Sequence, residues 1–142
     1  MRLLKEHDEI VRGELLVQEG REVKHTGDGI MASFTSVVSA ITFAVQVQRR
    51  LHQRNQDAET PFHISIGISA GEPVTDDNDD LFGAAVQLAA RLCSAASDGD
   101  IVVSVAVREL CVGKAFRFDD RGELTLKGIA EPTHVYAVDW ND

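Results

Sequence analysis

The sequence predicts an α+β fold in which helices pack on a mainly antiparallel sheet. Amphipathic helical patterns mix with short apolar strands, and an Asp-Gly turn between two of these strands is typical of a β-hairpin. A regular alternation of strand and helix, which would indicate a parallel sheet, is missing. With 142 residues, 44% of them hydrophobic, the chain has the size of one domain with a real core.

The first helix and the hairpin come at the start of the chain. Apolar residues at helical spacing predict a helix over Met1–Gln18, and Gly20 is a natural residue to end it. The two hairpin strands are predicted over Glu22–His25 and Ile30–Phe34. The turn between them contains Asp28 with a glycine on each side.

Asp28 lies at the tip of this predicted hairpin. The flanking Gly27 and Gly29 permit positive φ and leave the backbone uncovered. A carboxylate there can hold a hard cation, but Asp also favours turns on its own account. The turn alone therefore leaves a structural and a metal-binding interpretation open.

The middle of the chain predicts a second helix, a strand and a third helix. Ser36 caps the second helix, whose broad apolar stripe runs to about Arg54. Alternating isoleucines predict a strand over Phe62–Val74, where Gly67 and Gly71 indicate a bulge or the close approach of another backbone or a ligand. The third helix is predicted over Ala84 to about Ala96, and the elements expected after it are a strand at Ile101–Ser104, a short helix at Val105–Cys111, a hairpin turning at Asp119–Gly122 and a last strand at His134–Trp140.

Charge and cysteine content exclude several classes of function. A formal net charge of -9 argues against non-specific binding to nucleic acid or to an anionic membrane. Cys93 and Cys111 form no CxxC pair, which fits buried thiols in a reducing compartment and no zinc site. No apolar run approaches membrane-span length, and no signal-peptide pattern follows Met1. We expect a cytoplasmic protein, or a soluble piece of a larger one.

An acidic loop precedes the third helix but lacks the pattern of a calcium site. An EF-hand loop needs a central Gly and a Glu at its twelfth position, and neither is present around Asp76, Asp77 and Asp79. These residues are therefore interpreted as a solvated loop.

Three segments carry distinctive motifs: Val23-Lys24-His25-Thr26-Gly27-Asp28-Gly29, Asp80-Leu81-Phe82-Gly83 with the helix up to Leu92, and Gly122-Glu123-Leu124-Thr125-Leu126-Lys127-Gly128. Together they resemble the catalytic domain of class III adenylate and guanylate cyclases. They stand in the family's order with family-like spacing. The resemblance implies a ferredoxin-like class III nucleotide cyclase fold over residues 1–142, truncated at the N-terminus because this chain begins after the family's first strand.

The resemblance implies an enzyme that closes ATP to 3′,5′-cyclic AMP and releases pyrophosphate. Family members use two metal ions, usually Mg²⁺ or Mn²⁺, held by two Asp residues. Asp28 matches the second of these, whereas the first would lie on the missing strand. Lys127 matches a Lys that binds the terminal phosphates, and Arg91 matches an Arg that stabilises charge on the transferring phosphate.

Two further positions imply a preference for adenine. Lys24 and Asp80 match the base-selecting pair of adenylate cyclases, and a Lys can donate to adenine N1 while a carboxylate accepts from N6. Without the family, Lys24 would be an ordinary exposed strand residue and Arg91 an ion-pair residue on a helix surface. Asp80 would be a carboxylate favoured by a helix N-terminus. A GTP-specific enzyme is a weaker alternative.

Gln87 departs from the family pattern. The family has an Asn there that orients the ribose, and Gln is one methylene longer. Together with the missing first Asp, this keeps open a catalytically inactive cyclase-homology module that binds a nucleotide or a partner subunit. The resemblance also implies a head-to-tail dimer, with itself or with another cyclase domain, in which Asp28 of one subunit faces Lys24, Asp80, Arg91 and Lys127 of the other.

Overall fold

A computed structural model describes residues 2–26, 29–75, 77 and 81–141 of the chain. By its internal contacts the chain divides into two compact units. The first comprises Met1–Ile64 with Trp140–Asp142, and the second comprises Ser65–Asp139.

The first unit contains two helices and a hairpin. Helix α1 covers Arg2–Val17, strands β1 and β2 cover Arg21–Thr26 and Gly29–Ser33, and helix α2 covers Val37–Asp57. The strands pair antiparallel, which confirms the predicted hairpin. The Ser36 side chain accepts a hydrogen bond from the Ser39 amide, so the predicted cap of α2 is also confirmed.

Helix α1 ends in a Schellman motif. The amide of Gly20 donates to the Leu15 carbonyl at 2.8 Å, and the amide of Glu19 donates to the Leu16 carbonyl at 3.3 Å. The residue with the left-handed backbone is Glu19, with φ 58°, and not the glycine. Gly20 instead allows close packing: a Cβ there would lie 2.5 Å from the Phe34 ring and 2.7 Å from Leu15, so these side chains would have to shift.

The two helices of this unit are joined by apolar burial and by ion pairs. Val11 and Leu15 of α1 are buried, and so is the stripe of α2 formed by Ile41, Ala44, Val47 and Leu51. Arg54 pairs with Glu6 at 2.7 Å, and its guanidinium carbon lies 4.5 Å from the centre of the Phe62 ring. These contacts involve the last turn of α2, which ends at Asp57 and not near Arg54 as predicted.

The second unit is built on a four-stranded mixed sheet. In chain order its strands are β3 (Ile66–Ile68), β6 (Ile101–Ser104), β7 (Arg117–Leu124) and β8 (Thr133–Asp139), and their order in the sheet is β3-β6-β8-β7. The β3–β6 pair is parallel, whereas β6–β8 and β7–β8 are antiparallel. The remaining elements are a two-stranded ribbon of β4 (Val74–Thr75) and β5 (Leu81–Phe82), helix α3 (Ala84–Ala95) and helix α4 (Val105–Leu110).

These observations confirm the α+β class and correct three local predictions. The strand predicted over Phe62–Val74 is regular only in the three residues of β3 and in the first residue of β4. The hairpin predicted to turn at Asp119–Gly122 is one continuous strand, β7, with an irregularity between Asp120 and Glu123. There Gly122 has φ +75° and its amide donates to the Asp120 carboxylate at 2.8 Å, so the turn-like residues build a bulge. Both cysteines are free thiols, but only Cys111 is fully buried.

The core of the second unit lies between α3 and the sheet. Its buried centre consists of Leu92, Val102, Leu126 and Val135. Partly buried apolar side chains pack around this centre from α3 and its C-cap, from the end of β7 and from the segment after β7; they are Leu88, Ala96, Leu124 and Ile129. The core therefore ties α3 to the chain on both sides of Lys127.

Candidate functional site

Helix α3 packs directly against strand β3. A Cβ at Gly67 would lie 2.4 Å from both the Ala89 carbonyl oxygen and the Cys93 amide nitrogen, so only a glycine admits the helix backbone this close. The Ser65 hydroxyl donates to the Cys93 carbonyl at 3.1 Å, and the Ser69 hydroxyl donates to the Ala85 carbonyl. The predicted close approach at Gly67 is thus confirmed, and the approaching backbone is that of α3.

Gln87 and Arg91 project from this helix one turn apart. Gln87 is exposed, whereas Arg91 is partly buried. The Nε atom of Arg91 is buried and has no hydrogen-bond partner, and within the described ranges it is the one side-chain nitrogen or oxygen in this condition. A buried donor left unsatisfied costs about 1–3 kcal/mol, and more when the group is charged. Such a donor favours the binding of an acceptor from outside the chain.

Lys127 lies in a tight turn that follows β7. The Ile129 amide donates to the Leu126 carbonyl at 3.1 Å, and Gly128 between them has φ +79°. This positive φ at the third residue is what a type II turn requires. Leu126 is buried and Ile129 packs on the same core, so the turn is anchored at both ends and exposes Lys127.

The turn meets the Gln87 and Arg91 face of α3. A Cβ placed on Gly128 would lie 3.1 Å from Gln87 Nε2 and 4.0 Å from Arg91 Nε. Three residues singled out from the sequence, Gln87, Arg91 and Lys127, are therefore brought to one place although they are 40 positions apart at the extremes. A guanidinium and an ammonium beside an amide suit a phosphate-bearing ligand.

Lys24 lies in the other unit, on β1. The register between β1 and β2 shifts between Glu22 and Lys24, and a bulge of this kind re-aims the side chains that follow it. Lys24 is exposed. Asp28 and Asp80, the predicted metal ligand and the predicted partner of Lys24, lie outside the described residues.

A charged network that the sequence patterns did not reveal joins helix α1 to strand β1. Arg12 of α1 donates to both carboxylate oxygens of Glu22, at 2.7 and 3.1 Å. Asp8 contacts the rings of His7 at 2.9 Å and of His25 at 3.4 Å. The hydrogen bond to His7 holds the pKa of Asp8 below its usual value, and the hydrogen bond to Arg12 lowers the pKa of Glu22. Helical spacing of the charges on α1 was the available signal, but it did not indicate their partners on β1.

A divalent metal does not fit the donor set of the described residues alone. A hard cation needs several oxygen ligands, and no group of three His, Cys, Asp or Glu suited to a metal occurs in residues 2–26, 29–75, 77 and 81–141. The role of Mg²⁺ or Mn²⁺ remains a prediction that depends on Asp28.

Comparison with known proteins identifies the family. The family described as "Adenylate and Guanylate cyclase catalytic domain" matches residues 1–139 of the chain. The chain belongs to this family. The predicted family resemblance is therefore confirmed over almost the whole sequence.

Relatives and solved structures of the family agree with this assignment. "Putative adenylate cyclase 3" of Rhizobium meliloti is 29% identical in an alignment of 137 residues that covers 94% of this chain and 23% of that protein. The adenylate/guanylate cyclase/hydrolase of Silicibacter pomeroyi is 31% identical with a TM-score of 0.86, covering 96% of this chain and 82% of that one. The adenylyl cyclase CyaB of P. aeruginosa is 25% identical with a TM-score of 0.80, covering 97% and 81%. The chain thus spans about a quarter of the curated relative and most of each crystallised cyclase domain. No helix in the described part of this cyclase-family chain has the length and apolar character to cross a membrane.

Proposed function

We propose that this chain is an adenylate cyclase catalytic domain that converts ATP to 3′,5′-cyclic AMP and pyrophosphate. The observation that carries the proposal is the buried, unpartnered Nε of Arg91 beside the Lys127–Gly128 turn. It supports a site for the phosphates of a nucleotide, because no hydrogen bond within the described chain occupies this donor. Family membership over residues 1–139 and the names of several relatives support cyclase chemistry at that site.

The proposed reaction is an intramolecular phosphoryl transfer. The ribose 3′-oxygen attacks the α-phosphorus, the bond from that phosphorus to the oxygen bridging to the β-phosphate breaks, and pyrophosphate leaves. The proton of the 3′-hydroxyl is lost to solvent or to an acceptor. Negative charge shifts from the α-phosphate to the leaving group, and donors aimed at that charge lower the barrier.

Each residue around the Lys127 turn has a proposed part in this step. Arg91 donates to the α-phosphate and the bridging oxygen, since a guanidinium offers several N–H groups in a fixed plane. Lys127 binds the terminal phosphates that leave as pyrophosphate. Gln87 orients the ribose through its amide, in the place of the family's Asn.

Lys24 and Asp80 are proposed to select adenine over guanine. The Lys24 ammonium donates to N1, which is an acceptor in adenine but carries a hydrogen in guanine. The Asp80 carboxylate accepts from the N6 amine, where guanine presents a carbonyl oxygen. A GTP-specific enzyme is the competing possibility, and the double variant Lys24→Glu with Asp80→Cys distinguishes the two. An adenylate cyclase should change its preference from ATP towards GTP, whereas a GTP-specific enzyme should keep GTP as its substrate.

The complete site is proposed to form in a head-to-tail dimer. Asp28 of one subunit would serve the base-reading and phosphate-binding residues of the other, and residues 1–142 would act as one catalytic domain. When bound, Mg²⁺ or Mn²⁺ would polarise the α-phosphate. A cytoplasmic location is proposed because ATP is available there and because Cys93 and Cys111 are free thiols.

Activity of the full chain with ATP and Mn²⁺ tests the proposal. Cyclic AMP is measured by mass spectrometry over a range of protein concentrations, because a dimeric site predicts a specific activity that rises with concentration. Arg91→Ala is expected to lower kcat about a hundredfold, the scale for loss of one transition-state donor. Arg121→Ala is the matched control, since Arg121 is an exposed arginine of the same unit that pairs with Asp100 at 3.5 Å. Equal activity of the two variants would refute the role of Arg91.

The second candidate function is a cyclase-homology module without catalysis. Gln87 favours it, because the longer side chain alters the place where the family has its ribose-orienting Asn. This module would bind ATP in a calorimetric titration and form no cyclic AMP at any protein concentration. Turnover that Asp28→Ala abolishes would exclude it.

A further inference from the structure

We propose that Gly128 is a positioning residue, whose bare Cα sets the place of the Gln87 amide beside the Arg91 guanidinium. The consequence for catalysis rests on the proposed cyclase function, whereas the positioning itself rests on the geometry of the second unit. The family resemblance drew attention to Lys127, and the contacts of its neighbour point to a separate role.

The first argument is the backbone of the turn. Gly128 has φ +79°, a conformation that L-amino acids with a Cβ adopt only under strain. Four other described glycines, Gly83, Gly99, Gly113 and Gly122, also have positive φ. Backbone freedom alone therefore does not distinguish Gly128 from the rest.

The second argument is what faces each of these glycines. A Cβ at Gly99, Gly113 or Gly122 would meet no atom within 4 Å, and one at Gly83 would come no closer than 3.7 Å to Val74. At Gly128 a Cβ would meet Gln87 Nε2 at 3.1 Å, a distance at which the amide must move by a few tenths of an ångström. Among the described glycines of positive φ, Gly128 is thus the one packed against proposed site residues.

The third argument is that the turn at Lys127 and Gly128 cannot move away from α3. Leu126 is buried at 4% exposure and Ile129 packs against the same core, so the residues on both sides of Lys127 and Gly128 are held. Helix α3 is equally fixed, because its backbone touches Gly67 of β3. An added methyl group would therefore displace the Gln87 amide and leave both backbones in place, while Arg91 Nε at 4.0 Å would only come into ordinary van der Waals contact with it.

The length of Gln87 fits this arrangement. Its amide extends to the surface of the turn, where the absence of a Cβ leaves room for it. The turn thereby limits the positions that an otherwise exposed amide can take. The Gln87 amide and the bare Cα of Gly128 are then the two sides of one contact.

The experiment compares Gly128→Ala with Gly113→Ala in the full chain. Both substitutions impose a Cβ at nearly the same φ, +79° and +84°, but Gly113 faces open space. The direct readout is the side-chain ¹H–¹⁵N NMR signals of the Gln87 amide and of Arg91 Nε. Gly128→Ala should shift the Gln87 signals more than the Arg91 signal, and Gly113→Ala should leave both unchanged.

Kinetics provide the second readout. A displacement of the ribose-orienting Gln87 amide by a few tenths of an ångström should lower kcat about tenfold, with KM for ATP changing less than twofold. Gly113→Ala should retain the wild-type kcat. If the NMR signals shift as expected but the wild-type chain forms no cyclic AMP, the proposed function fails and the positioning role stands.

A double variant covers the case in which Gly128→Ala folds poorly. Gln87→Ala removes the atom that lies 3.1 Å from the new Cβ, so Gln87→Ala with Gly128→Ala should unfold at a higher urea concentration than Gly128→Ala alone. The proposal is overturned if the double variant is no more stable than the single one. It is also overturned if the Gln87 amide signals have the same chemical shifts in Gly128→Ala as in Gly113→Ala.

Discussion

Gly67→Ala directly perturbs the packing of α3 against strand β3. The new Cβ would lie 2.4 Å from two backbone atoms of α3, the Ala89 carbonyl oxygen and the Cys93 amide nitrogen. Neither atom belongs to a flexible side chain, so the helix or the strand must shift. Overpacking of a close contact typically destabilises a protein by about 1–3 kcal/mol. Because two backbone atoms are involved, we expect Gly67→Ala to lower the free energy of unfolding by about 3 kcal/mol. For a chain of this size, that loss lowers Tm by roughly 10 °C.

Urea unfolding followed by far-UV circular dichroism measures this loss, with Gly29→Ala as the control. Gly29 also lies in a strand, without a positive φ, and a Cβ there would meet nothing within 4 Å. Its substitution should change the free energy of unfolding by less than about 0.5 kcal/mol. If Gly67→Ala proves as mild as Gly29→Ala, α3 is not held against β3 as described. The proposed places of Gln87 and Arg91 would then lose their support.

Three further predictions concern acid stability, a helix cap and a buried thiol. The hydrogen bond from His7 lowers the pKa of Asp8 in the folded state below 3.8. The ionised Asp8 therefore stabilises the fold above that pH, and this stability is lost as the pH falls through the folded-state pKa. Asp8→Asn should reduce the loss of unfolding free energy between about pH 5 and 2. Ser36→Ala removes the cap of α2 and should cost about 1 kcal/mol in urea unfolding, whereas Ser97→Ala, outside any helix, should cost less than half of that. Burial raises the pKa of the Cys111 thiol, so at pH 8 this thiol should react with a disulfide reagent only as fast as the chain unfolds. Rapid labelling of Cys111 in the native protein would contradict its burial.

The local elements followed from local patterns. The hairpin around Asp28, the Ser36 cap and the start of α3 at Ala84 were predicted because turn chemistry, capping and amphipathic spacing act over a few residues. Glu19 shows the limit of this reasoning. The pattern predicted Gly20 as the residue that ends the helix, but the left-handed position of the Schellman motif is taken by Glu19, and Gly20 makes close contacts with Leu15 and Phe34.

Elements whose form depends on pairing partners were predicted less well. The turn residues at Asp119–Gly122 indicated a hairpin, but β8 pairs with both flanks and makes them one bulged strand. Alternating isoleucines indicated a long strand from Phe62, whereas β6 pairs only with Ile66–Ile68. A strand forms where a neighbour supplies hydrogen bonds, and the sequence of one segment does not identify that neighbour.

The sequence by itself determined the family and nominated Arg91, Gln87 and Lys127 through motif order and spacing. Only the tertiary structure decided that α3 and the turn after β7 meet, that Gly67 and Gly128 are the points of close approach, and that Arg91 Nε is buried without a partner. The physical reason is that burial and contact between residues 40 positions apart arise from packing of a common core. A residue's type indicates the chemistry it can perform, and the packed fold determines what lies within its reach.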